Sequence, residues 1–151
     1  MVSKEVLYKF RFIVLILSLI AIDLFSKNLA VINLMYGQTE PTIFPFIDFL
    51  LIYNSGIAFG IFDSDNSLNS QILLLVTLAI SFYLIWMIAS EDILKKKYAL
   101  SIITAGAYGN IIDRAIDNKV TDFLHLEILD FSFFIFNLAD AFITIGAILL
   151  I

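Results

Sequence analysis

Apolar positions fill four long stretches of this chain, and polar positions gather between them. The stretches run from about Phe10 to Ile32, Ser70 to Ala89, Tyr98 to Ile116 and Phe131 to Ile151. Roughly 20 mostly apolar residues cover the hydrocarbon core of a bilayer, so each is long enough to cross it. In lipid, backbone N–H and C=O groups must be satisfied within their own segment, which predicts four helices. Two shorter segments have a different character. Phe46-Ile47-Asp48-Phe49-Leu50-Leu51-Ile52-Tyr53 is aromatic and β-prone, and the stretch from Val120 to Phe134 resembles it. Both lie in connections between helices and are expected to pair as a small sheet on the membrane surface.

The charges orient this arrangement. Lys4, Lys9 and Arg11 precede the first helix, and Lys95, Lys96 and Lys97 lie between the second and third. The segment from Leu34 to Asn69 has no Lys or Arg but carries Glu40, Asp48, Asp63 and Asp65. Basic loops stay on the cytoplasmic side, so both termini are expected there and the two long connections outside. The N-terminus has the order of a signal peptide. Its apolar run is too long for one and is interrupted by Asp23 and Lys27, so it is expected to stay as a first helix.

Composition narrows the chemistry. Hydrophobic residues make up 61% and charged residues 15% of the chain, against about a quarter charged in soluble domains. The 151 residues suit one membrane domain. No basic patch suggests nucleic acid. There is no cysteine, which excludes disulfides, thiolate nucleophiles and Cys-ligated metal, and the one histidine, His125, excludes a multi-His zinc centre. Carboxylates, lysines, hydroxyls and amides remain.

Ionisable groups within a membrane span are costly, and each requires a reason. Asp23 and Lys27 are four apart and share a helix face. They read either as a self-neutralising pair or as part of a substrate site. Asn110, Asp113 and Arg114 share another face, beside the small residues Gly106, Ala107 and Gly109 that allow close helix packing. Asp113 reads as half of an interfacial Asp-Arg pair capping this packing seam, and the Arg114 fork could bind a carbonyl or phosphate. Asp140, in Phe136-Asn137-Leu138-Ala139-Asp140-Ala141, has no basic residue near it in its span, and Asn137 is its polar neighbour. Asp122, in Val120-Thr121-Asp122-Phe123, alone reads as a loop acid. Paired with Asp140 it becomes a candidate dyad, in which one carboxyl keeps its proton and the other acts as base. Asn54-Ser55-Gly56-Ile57-Ala58-Phe59-Gly60 suggests a tight turn or the lip of a site. His125 reads as an interfacial side chain.

Three other readings fit the same residues. Asp23, Asp113 and Asp140 would serve as relay groups in a small transporter or proton channel, although no internal repeat is visible. A non-catalytic assembly factor would use the polar pairs structurally. A Ser-Lys protease would use Lys27 with Ser26 or Ser55.

Five pieces in order resemble one family. They are Asp23-x-x-x-Lys27, Asn54-Ser55-Gly56-Ile57-Ala58-Phe59-Gly60, Gly106-Ala107-Tyr108-Gly109-Asn110-Ile111-Ile112-Asp113-Arg114, Val120-Thr121-Asp122-Phe123 and Phe136-Asn137-Leu138-Ala139-Asp140. Together they resemble lipoprotein signal peptidase, signal peptidase II, over essentially the whole chain. The resemblance implies an all-α membrane protein of four transmembrane helices with a small extracytoplasmic β-cradle and a short surface helix. It implies an aspartic endopeptidase of the bacterial cytoplasmic membrane, with its active site toward the outer face. Such an enzyme cleaves diacylglyceryl-modified prolipoproteins just before the lipidated cysteine. The catalytic positions then fall on Asp122 and Asp140. Asp23, Lys27, Asn54, Gly56, Asn110, Asp113, Arg114 and Asn137 line or brace the site. Neither cofactor nor catalytic metal is implied. The implied partners are the lipidated precursors and membrane lipid around a monomer, with cyclic peptide antibiotics such as globomycin as inhibitors. Ile57 and Ala141 depart from the family's small Ala and Ser, and Thr104-Ala105 stands where a further Gly is usual.

Overall fold

A computed structural model describes residues 4–56, 67–129 and 131–151. Among these residues are four helices and a small sheet: α1 (Lys4–Asn33), β1 (Thr39–Glu40), β2 (Ile47–Asn54), α2 (Ser67–Ser90), α3 (Leu94–Asp117), β3 (Val120–Ile128), β4 (Phe131–Phe136) and α4 (Leu138–Leu150). The expected strands are present, with β1-β2-β3-β4 in that order and every pair antiparallel. The short surface helix expected around Ile57-Ala58-Phe59-Gly60 lies outside the described residues.

Two of the helices contain stretches long and apolar enough to cross a membrane by length and composition, Phe10–Asn33 and Ser70–Ser90. The fourth expected span needs correction. Its first part, Phe131–Phe136, is strand β4, and only Leu138–Leu150 is helical. A continuous apolar run does not distinguish a buried strand from a helix. Here β3 supplies the ladder, pairing Leu124 with Phe136 and Leu126 with Phe134. Asn137 then starts the helix with a capping box. Its Oδ1 accepts from Asp140 N at 3.0 Å, and Asp140 Oδ2 accepts from Asn137 N at 3.3 Å.

The bundle buries polar side chains among its apolar core residues and exposes large apolar ones. Asp23, Ser81, Ser101, Thr104 and Asn137 are buried, whereas Leu17, Phe25, Leu75, Phe82 and Trp86 face outward. An apolar exterior this extensive suits a lipid environment. α3 is central and packs on the other three helices. Small residues set its closeness to α4. A Cβ on Gly106 would run into Ala139 O and lie 2.8 Å from Ile143 Cγ1, and one on Gly146 would meet Ile103 and Ala99.

Two features seat the sheet on the helices. Ala30, Leu51 and Phe123 form a small core with Leu34, Leu124 and Leu138 around them. The α3 C-cap, Asn118, takes a left-handed φ of 56°, and its N–H donates to Arg114 O at 3.0 Å. Ser70 Oγ donates to Asn118 O at 2.6 Å, joining the start of α2 to this turn into β3.

Candidate active site

Where the sheet meets the helices, every sequence-selected polar residue converges except His125. β3 carries Asp122 inward at 4% exposure. Asn54, at the end of β2, donates Nδ2–H to Asp122 Oδ2 at 2.9 Å. Asn137 donates Nδ2–H to Asp122 Oδ1 at 2.6 Å. Asp140 sits one turn into α4, where its Oδ1 accepts from Asn110 Nδ2 at 2.8 Å and its Oδ2 from the Asn137 N–H. Asn137 therefore touches both carboxylates, one through its side chain and the other through its backbone.

A second layer holds this arrangement in place. Lys27 Nζ donates to Asn110 Oδ1 at 2.9 Å and pairs with Asp23 Oδ2 at 2.8 Å and Asp113 Oδ2 at 3.1 Å. Three donors thus meet three acceptors. Because Lys27 occupies the oxygen end of the Asn110 amide, the Nδ2 end points at Asp140. Asp23 Oδ1 accepts from Ala139 N at 2.8 Å, tying α1 to the start of α4. A Cβ on Gly109 would collide with Asp23 Oδ2, so glycine is needed for this approach.

Asp113 and Arg114 do not form the interfacial pair expected from sequence. Asp113 faces Lys27 and accepts from Thr121 N at 3.0 Å. Arg114 donates from Nη2 to Gly56 O at 2.8 Å. Adjacent helix positions point about 100° apart, which sends the two side chains to different partners. Gly56 in turn donates its N–H to Asn54 Oδ1 at 3.0 Å, closing a tight turn. His125 is 5% exposed within the sheet and bonds Ser132, away from these carboxylates.

The carboxylates open onto a cavity of about 540 Å³ lined by Asn54, Gly56, Asn110, Arg114, Asp122 and Asp140, among others. Leu73, Val76 and Thr77 of α2 and Phe134, Ile135 and Phe136 of β4 form apolar walls. Apart from Phe136, which belongs to the Phe136-Asn137-Leu138-Ala139-Asp140 segment, none of these was named as a site residue from sequence. Thr77, a hydroxyl within the apolar middle of α2, was the one polar member among them. Burial pushes the Asp122 carboxyl from its ordinary 3.8 up to about 7. The nearby Asp140 charge adds to this, while the Asn54 and Asn137 bonds and the Lys27 charge oppose it.

The same contacts bear on the Ser-Lys reading. Ser26 Oγ donates to Asp23 O at 2.7 Å, and Lys27 is held by two carboxylates. Both groups are thus engaged elsewhere: Lys27 Nζ spends its contacts on Asp23, Asp113 and Asn110, not on a serine hydroxyl.

The family model described as signal peptidase (SPase) II matches residues 15–151. The lipoprotein signal peptidase of Pelagibacter ubique is 37% identical over 142 residues, covering 92% of this chain and 84% of that relative. That of Methylorubrum extorquens is 36% identical over 141 residues, covering 92% and 82%. A solved bacterial membrane enzyme superposes with a TM-score of 0.81 at 28% identity, covering 92% of this chain and 84% of its own. A second superposes at 0.80 and 27% identity, covering 92% and 88%.

Proposed function

The chain belongs to the signal peptidase II family of aspartic proteases, and we propose that Asp122 and Asp140 are the dyad with which it cleaves prolipoproteins. Family membership carries the coarser statement, removal of signal peptides from prolipoproteins by a bacterial membrane protein. The assignment of the dyad rests mainly on one observation: two aspartates bridged by Asn137 face one cavity.

The chemistry follows from the environments of the two acids. With one proton between them, Asp122 holds it and Asp140 is ionised. Asp140 takes a proton from water, and the hydroxide oxygen forms a bond to the scissile carbonyl carbon. The Asp122 proton goes to the carbonyl oxygen, giving a tetrahedral intermediate. Collapse breaks the C–N bond as the proton held by Asp140 goes to the leaving nitrogen and a hydroxyl proton of the intermediate returns to Asp122, which leaves acid and amine products and restores the singly protonated pair. Water is consumed, no electrons are exchanged and no metal is needed. Arg114, held by Gly56 O, places positive charge near both carboxyls and offsets the charge of the singly protonated pair. Asn54 and Asn110 position the acids, and Asp23, Lys27 and Asp113 brace Asn110.

In this reading residues 1–151 are one domain and all four helices cross the membrane, with both termini cytoplasmic. The sheet forms an outer cradle, and β4 leads from it into α4. The substrate is a diacylglyceryl-modified precursor cut just before the lipidated cysteine. Its acyl chains lie in the lipid that surrounds the monomer, and its peptide enters between the apolar walls of α2 and β4. A globomycin-like cyclic peptide would fill the same cavity.

The test is cleavage of diacylated and non-acylated precursors by Asp122→Asn and Asp140→Asn proteins. Both variants should accumulate normally and cleave nothing, and wild type should cleave the diacylated precursor alone. Near-normal turnover by either variant would remove the dyad.

A further inference from the structure

A second polar cluster lies on the sheet, apart from the residues assigned to catalysis. Alternation along β3 puts His125 and Glu127 on the face that does not carry Asp122. Register places Asp48 of β2 opposite His125, and Ser132 of β4 opposite Glu127. Asp48, His125 and Glu127 bring one ligand atom each to within 4.8 Å of one another.

His125 is the unusual member. It is 95% buried by its 5% exposure, and its Nε2 lies 2.7 Å from Ser132 Oγ. Its Nδ1 is buried, with no hydrogen-bond partner among the described residues. That atom lies 3.6 Å from Glu127 Oε2, longer than the roughly 2.7–3.2 Å of an N–H···O bond. Two ligands on one tetrahedral Zn²⁺, at bonds of about 2.0–2.1 Å, sit about 3.4 Å apart. In the tautomer whose Nε2–H donates to Ser132 Oγ, Nδ1 presents a lone pair toward two carboxylates. Three electron-rich atoms held this way call for a cation among them. An imidazole N–H fixed by an outer hydroxyl is also the arrangement that orients metal-bound histidines.

We propose that Asp48, His125 and Glu127 form a divalent transition-metal site, with Zn²⁺ as the fitting ion, that clasps β2 to β3. Imidazole and carboxylate donors suit zinc. Two carboxylates neutralise its charge, and water completes the fourth position. The site is separate from the Asp122 and Asp140 chemistry, so its test does not depend on cleavage.

Full-length protein in detergent micelles, stripped with a chelator and desalted, should bind one Zn²⁺ per chain in a calorimetric titration. Its unfolding midpoint should rise on zinc addition, with Mg²⁺ producing neither effect. His125→Gln and Glu127→Gln should each weaken zinc binding by roughly tenfold or more. Glu127 is 35% exposed, so its variant keeps the fold and the comparison stands even where the His125 variant does not fold. The proposal is overturned by wild-type protein that takes up no zinc. It is equally overturned by a Glu127→Gln protein that binds zinc as tightly as wild type, which would place the ion elsewhere.

Discussion

Asn54→Ala should move the alkaline limb of the pH–rate profile upward. The side chain removed donates to Asp122 Oδ2 at 2.9 Å and favours the ionised acid. Holding Asp122 at about 7 instead of 3.8 corresponds to about 4 kcal/mol against its charged form, at 1.36 kcal/mol per pKa unit. A hydrogen bond to a charged group contributes about 1.5–3 kcal/mol, or about one to two pKa units. Water entering the vacated space offsets part of that, so a displacement of about one unit is expected. In wild type, if Asp122 is the acid, loss of its proton should make kcat/KM fall about tenfold per pH unit above about 7. In Asn54→Ala the same fall should begin near pH 8. The assay is kcat/KM on a diacylated precursor from about pH 5 to about pH 10. A limb that stays in place, or moves toward acid, would refute Asp122 as the group titrating there. The sign for stability is opposite to that of a salt-bridged acid. The native state holds this proton more tightly than the unfolded chain, so the cost is absent below 3.8 and complete above about 7.

Lys27→Met leaves the buried Asp23 and the half-buried Asp113 without their shared cation and should cost about 3–5 kcal/mol in unfolding experiments. Adding Asp113→Asn should recover part of that loss, and strictly additive costs would contradict the shared pairing. Asn137→Ala should lose about 1 kcal/mol of helix capping and far more activity, because it also abandons Asp122. Asn137→Ser restores a cap without reaching both acids, so equal recovery of stability and turnover would show Asn137 to be only a cap. Gly109→Ala drives a Cβ into Asp23 Oδ2 and should cost about 1–3 kcal/mol of stability. An unchanged unfolding midpoint and rate would show that α1 and α3 can separate freely.

The chain alone determined its broad architecture, because hydrophobic period and length are local properties. The long apolar runs and the strand segments at Phe46–Tyr53 and after Val120 could be read directly. So could the Asp23 and Lys27 pair, since residues four apart meet on any helix. Tertiary structure decided where local rules gave equal answers. Phe131–Phe136 became a strand because β3 was available to pair with it. Asp113 joined Lys27 and Arg114 joined Gly56 because three-dimensional neighbours, not sequence neighbours, complete a buried charge. His125 was placed in the sheet by its cross-strand register. Asp122 alone read as a loop acid, and its meeting with Asp140 required the β3–β4 hairpin. The antiparallel return brings Phe136 beside Leu124, so Asn137 and the first turn of α4 begin next to Asp122. Spacing along the chain permitted that approach, and only the returning strand produced it.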